Sequence, residues 1–253
     1  MFLVFFVGTA GSGKSLLTAA FSEWLKGAKQ DVALVNLDPG VVILPYTPDL
    51  DARDYVNMTS LMTEYHLGPN GALLMAADLI AEETETLTRE IEEIGADLVL
   101  VDTPGQMELF AFRASGQYIA EELTKEPKAL IYLFDSVFSL NPLNYVANLF
   151  LSAAVYNRFL VPQAHVLSKC DLLPEEKMKC IVDWSANPRM LEEAIDKNLE
   201  GTKRLLSHDV LRTMNRLGLI FSLIPISAKT NSGMTNLNTA LERMFTGGEK
   251  FTQ

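Results

Sequence analysis

One octapeptide near the amino terminus, Gly8-Thr9-Ala10-Gly11-Ser12-Gly13-Lys14-Ser15, has the residue types and spacing needed to hold a polyphosphate. Its glycines let backbone N–H groups turn inward around phosphate oxygens, and a helix starting at its end adds positive potential. The expected phosphate-binding positions are Gly11, Ser12, Gly13, Lys14, Ser15 and Leu16. Lys14 would reach the β- and γ-phosphates, and the Ser15 hydroxyl would bind Mg2+. An apolar run, Phe2–Val7, precedes the loop and a helical pattern (Leu16, Leu17, Ala20, Trp24) follows, the context such a loop requires.

Kinases, ATPases and GTPases all use this loop, so the remaining chemistry must decide between them. Val99-Leu100-Val101 leads into Asp102-Thr103-Pro104-Gly105-Gln106. A carboxylate at the end of a buried strand is costly unless a cation meets it, and Mg2+ beside a γ-phosphate would do so. Gly105 can offer its N–H to that phosphate, and Gln106 stands where an amide can hold the attacking water. The same five residues also make a good strand-end turn. Asp38, in Asn36-Leu37-Asp38-Pro39-Gly40, is either a second group facing the water or a turn-initiating aspartate before proline. Glu108 either assists Gln106 or sits in the first turn of a helix.

The base is addressed by Ser168-Lys169-Cys170-Asp171, after an apolar run that ends at Leu167. Guanine offers two neighbouring donors that one carboxylate, Asp171, can accept together; adenine lacks that pair. The Lys169 stem can lie along the purine face, and the Ala228 N–H, in Ser227-Ala228-Lys229, can meet the guanine O6. Each fragment alone is also an ordinary loop. In this order, each at a strand end, they favour guanine.

Positioning these residues calls for alternating strands and helices. Candidate strands are 2–7, 31–36, 97–101, 129–134, 164–167 and 219–224, several of them continuous apolar runs suited to burial on both faces. A helix is expected from Leu73 to Ile94 on the spacing of Ile80, Thr84, Leu87, Ile91 and Ile94, with Gly95 as its stop. Residues 175–216 read as a helical insertion and 143–161 as a core-facing helix, since Asn144, Asn148, Asn157 and Arg158 interrupt it. The fold class expected is α/β, a three-layer P-loop nucleotide hydrolase with a mainly parallel sheet. It forms one domain over 1–253, with insertions near 40–72 and 175–216.

The 253 residues are 48% hydrophobic and 21% charged, which excludes disorder, and the net charge of −11 disfavours sequence-independent nucleic-acid binding. Cys170 and Cys180 show no metal spacing and read as reduced thiols of a cytoplasmic protein. The apolar start lacks a basic leader, so no targeting or membrane segment is expected.

These motifs resemble those of the GTPase superfamily, with Ser168 standing where Asn or Thr usually opens the base-reading tetrad; its hydroxyl is expected to support the loop. Gly68-Pro69-Asn70, between the second strand and the long helix, narrows the resemblance to the GPN-loop GTPases, in their compact archaeal form. That resemblance implies a homodimer in which each Gly-Pro-Asn loop enters the partner's site and Asn70 acts across the interface. It also implies Mg2+ as cofactor, GTP and GDP as substrate and product, and a link to RNA polymerase subunits or their assembly. The competing reading is a dimeric P-loop ATPase of the partitioning type. Those proteins place a lysine near the start of the loop, where this chain has Thr9. A kinase is disfavoured because no arginine-rich lid is evident.

Overall fold

The computed structural model describes residues 1–246, so the last seven positions of the expected 1–253 domain lie outside the described residues. Seven strands form one sheet: β1 (Phe2–Gly8), β2 (Val32–Asn36), β3 (Leu50–Asp51), β4 (Leu98–Asp102), β5 (Lys128–Asp135), β6 (Gln163–Ser168) and β7 (Ile224–Pro225). Their order is β3-β2-β4-β1-β5-β6-β7, and every strand pairing is parallel.

Alternation along each strand builds two cores, because successive side chains leave opposite faces. Leu3, Phe5 and Val7 enter one core together with Val99, Val101, Leu130, Tyr132 and Phe134. Val4 and Phe6 enter the other with Leu98, Leu100, Ala129, Ile131 and Leu133. Helices α1 (Lys14–Gly27) and α11 (Met234–Thr246) cover the second face. The first is covered by α2 (Met58–Glu64), α3 (Pro69–Glu82), α4 (Thr84–Ile94), α5 (Met107–Ala111), α6 (Ala114–Glu122) and α7 (Pro142–Phe159). Residues 175–216 form three helices, α8 (Glu175–Ala186), α9 (Pro188–Asn198) and α10 (Gly201–Arg216), seated beside α7. Among the described residues no helix is long and apolar enough to cross a membrane.

Three expectations need correction. The single helix over 73–94 is two helices that break at Glu83, where the Thr84 hydroxyl donates to the Ala81 carbonyl at 2.8 Å and competes with the helical ladder. Their apolar faces run on through the break, so periodicity alone does not reveal it. α3 also starts earlier than expected, with Gly68 as N-cap and Pro69 in the first position, so Pro69 and Asn70 belong to its first turn. The last strand is not 219–224: only Ile224 and Pro225 pair with β6, while Leu219 and Ile220 pack against the core as coil.

β1 lies between β4 and β5, and the chain leaves the sheet in opposite directions on its two sides. A parallel sheet binds ligands at the carboxyl ends of strands at such a switch point. Every candidate residue named after β1, β2, β4 and β6 sits at those ends.

Candidate functional site

The loop after β1 wraps a lysine. Lys14 is buried, and its ammonium donates to the carbonyls of Gly8 at 2.9 Å, Thr9 at 3.2 Å and Gly105 at 3.1 Å. Gly11 and Gly13 have φ of 74° and 95°, left-handed values that disfavour a side chain and that turn the loop into α1. Burial lowers the Lys14 pKa from its usual value, against the raising influence of Asp102, Asp38 and Glu108. Leu16 is half exposed on the first turn of α1.

β4 delivers Asp102 beside that lysine, fully buried. Burial pushes its carboxyl up to about 6, held from rising further by the Ser15 and Tyr46 hydroxyls and by Lys14. The Tyr46 hydroxyl donates to Asp102 Oδ2 at 3.0 Å, while Oδ1 meets no hydrogen-bond donor. An orphaned carboxylate oxygen next to a serine hydroxyl is a hard oxygen set, which suits Mg2+. Among the described residues no group of three His, Cys, Asp or Glu side chains could hold a metal.

The loop after β4 meets the loop after β2. Asp38 Oδ2 accepts the Gly105 N–H at 2.8 Å and Oδ1 accepts the Gly40 N–H at 2.9 Å, with Asn36 fixing the turn from below. Gly40 lies against α3, where an added Cβ would come within 2.6 Å of Leu73 Cδ2. Gln106 caps α5 and Glu108 lies in its first turn; both side chains are exposed. Thr103 ties this loop to β1 by donating its hydroxyl to the Phe6 carbonyl at 2.6 Å.

The loop after β6 closes the other side. Ser168 donates its hydroxyl to the Ser12 carbonyl at 2.7 Å and to that of Phe134 at 3.1 Å, which binds the base loop directly to the phosphate loop. Lys169 takes a left-handed φ of 59°, a strained value for a side-chain-bearing residue. Its stem passes Gly13, and its ammonium donates to the Gly11 carbonyl and pairs with Asp135 at 2.6 Å. Cys170 donates its N–H to the Ile226 carbonyl at 3.1 Å, and Asp171 Oδ1 accepts the Ser227 hydroxyl at 2.7 Å. Both cysteines are free thiols. A cavity of about 260 Å3 opens among Leu16, Lys169, Asp171, Leu172 and Ala228, floored by Gly13.

The fold thus gathers the residues of the phosphate loop, Asp102, Gly105 and Asp38 at one point, and the base residues around one adjoining cavity. Asn70 is not gathered: it is exposed, and its side chain makes no hydrogen bond to the described residues. Two contributors escape a reading of motifs, Asp135 at the end of β5 and Tyr46 in a proline-rich stretch. Asp135 carries a weak signal, a lone acid ending an apolar strand; Tyr46 carries none.

Fold and site together define a P-loop nucleotide hydrolase. A family model described as a conserved hypothetical ATP-binding protein matches residues 6–247. GPN-loop GTPase PAB0955 of Pyrococcus abyssi is 33% identical over 252 residues, covering 98% of this chain and 99% of that protein. The crystal structure of that protein in apo form superposes with a TM-score of 0.86 at 31% identity, covering 97% and 98% of the two chains. GPN-loop GTPase 1 of Dictyostelium discoideum is 31% identical over 84% of this chain and 55% of its own length. GPN-loop GTPase 1 of Saccharomyces cerevisiae is 26% identical over 94% and 64%. The chain thus spans less than two thirds of these two eukaryotic relatives. It belongs to the GPN-loop GTPase family.

Proposed function

We propose that this GTPase acts as a cytoplasmic homodimer, one P-loop domain per protomer, that converts GTP and water to GDP and phosphate with Mg2+. The observation that carries the reading is the cavity of about 260 Å3 at the phosphate loop, edged by Asp171 and Ala228. Its chemistry matches guanine, whose N1–H and exocyclic amine would both donate to Asp171, with Lys169 and Leu16 against the ring faces. The family model's description names ATP and the relatives' names say GTPase. Adenine would leave the Asp171 charge without its donors, which favours guanine.

Gly11 to Leu16 supply main-chain N–H groups to the phosphates, and Lys14 supplies the charge. Ser15 and Asp102 would hold Mg2+, which when bound neutralises phosphate charge and polarises the phosphoryl oxygens. Gln106 orients the attacking water, Asp38 accepts a hydrogen bond from it, and Glu108 supports Gln106. Because the Gly105 N–H already has Asp38 as its acceptor, a γ-phosphate drawing on that N–H draws on a contact that also reaches Gly40 and, through it, α3. Replacing Gln106 by alanine should lower kcat by about 10- to 100-fold with GDP affinity unchanged, measured by phosphate release and fluorescent-GDP titration. An unchanged kcat would remove Gln106 from the mechanism.

The dimeric part rests on family resemblance and on Asn70, which is exposed and idle within its own protomer. Its neutral amide would stabilise charge on the partner's γ-phosphate. Mixing Asn70→Ala with Lys14→Ala protein should restore activity to about a quarter of wild type. This follows because half of the randomly formed dimers contain one intact site, one of two. Two inactive parents that stay inactive when mixed would contradict action in trans. The resemblance also supports a nucleotide-controlled assembly role with RNA polymerase subunits. A capture experiment checks it: a partner must distinguish the GDP form from the form with a non-hydrolysable GTP analogue.

A further inference from the structure

The geometry points to Tyr46 as a positioning residue for the divalent cation: its hydroxyl occupies Oδ2 of Asp102 and thereby reserves Oδ1 for the metal shell. The inference rests on the reading of Asp102 as a Mg2+ residue. A phenol has a single O–H, and this one is committed to Asp102 Oδ2 at 3.0 Å. The other oxygen is buried and takes part in no hydrogen bond, although the Ser15 hydroxyl lies close enough to the carboxylate to hold its pKa down. A carboxylate free to rotate would present either oxygen; held by Tyr46 it presents one.

The tyrosine is itself fixed. Its ring packs against the core on the α1 face of the sheet. Pro45 and Pro48 restrict the backbone on both sides of it. Upstream, Arg53 donates to the carbonyls of Val41 at 3.1 Å and Val42 at 3.4 Å, and is anchored by Asp51 at 2.6 Å. Downstream, Asp49 Oδ2 accepts the Leu34 N–H at 2.8 Å and ties the segment to β2. The segment from 40 to 49 therefore holds a hydroxyl against the one buried carboxylate of the site. Hydrogen-bonded supports of metal ligands change metal affinity by about 10- to 100-fold when removed.

Mn2+ serves as the probe, counted by electron paramagnetic resonance on the full-length protein with GDP bound. Tyr46→Phe keeps the ring and should weaken Mn2+ binding about tenfold, leaving GDP affinity in EDTA unchanged and lowering the thermal midpoint by only a few degrees. Asp102→Asn should weaken Mn2+ as well, and Tyr46→Phe added to it should cause no further loss, because the hydroxyl acts through that carboxylate. Mn2+ affinity that is unchanged or tighter in Tyr46→Phe overturns the inference. So does an equal additional loss in the double variant, or a matching loss of GDP affinity in EDTA. If Asp102→Asn itself leaves Mn2+ affinity unaltered, the assignment of Asp102 to the metal fails instead, and the two failures are told apart.

Discussion

Lys14→Ala is expected to lower kcat/KM for GTP by about a thousandfold or more while the protein remains folded. The ammonium is the positive side chain at the centre of the phosphate loop, buried and aligned by three carbonyls from two different loops. Burial there disfavours charge strongly enough to lower the lysine's own pKa. The same burial cost decides the stability outcome. Alanine loses three hydrogen bonds but relieves a desolvated charge, and these terms offset, so the thermal midpoint should move by less than about 4 °C. Phosphate-release kinetics beside a calorimetric scan check both halves. Activity within tenfold of wild type would show that phosphate is held elsewhere.

Asp171→Asn should change which base is accepted. A carboxylate facing two donors is replaced by an amide with one acceptor and one donor, so guanine loses one charge-assisted bond and meets a mismatched N–H. Charged hydrogen bonds contribute about 1.5–3 kcal/mol, which predicts a loss of GTP preference by about 10- to 150-fold. Xanthine carries a carbonyl where guanine has its amine, so the variant should gain activity on xanthosine triphosphate as it loses GTP. Competing turnover of the two nucleotides measures this. A variant that still prefers GTP would take Asp171 out of the base pocket. The Ser227 hydroxyl, which already donates to Asp171 Oδ1, should orient the replacement amide by the same contact, so the substitution tests chemistry more than placement.

Most of the framework around the candidate site is legible in the sequence because its elements obey local rules. A glycine loop after an apolar strand needs no tertiary information, and five of the six expected strands appear with ends shifted by a residue or so. What is not legible depends on contacts between distant segments. β3 is two residues long and polar at Asp51, held by β2 and by Asn36, so no period announces it. Gly68 and Pro69 do carry a helix-start signal, the cap-then-proline pattern, and it marks the start of α3 better than the apolar spacing from Leu73 does. Asp135 and Tyr46 contact Lys169 and Asp102, residues far away along the chain, and neither sits in a motif. Ser168 is the opposite case. A hydroxyl at the head of the tetrad suits loop support, and it indeed spans to the Ser12 carbonyl.

Guanine selectivity requires that one pocket read the base while the adjoining loop grips the phosphates. Equilibrium dialysis of the wild-type protein against GDP and ADP, each with Mg2+, addresses it without any substitution. One GDP per protomer should bind at least about 100-fold more tightly than ADP, the margin set by donors left unmatched on Asp171. Equal affinities for the two nucleotides would contradict the account and return the site to an adenine-binding ATPase.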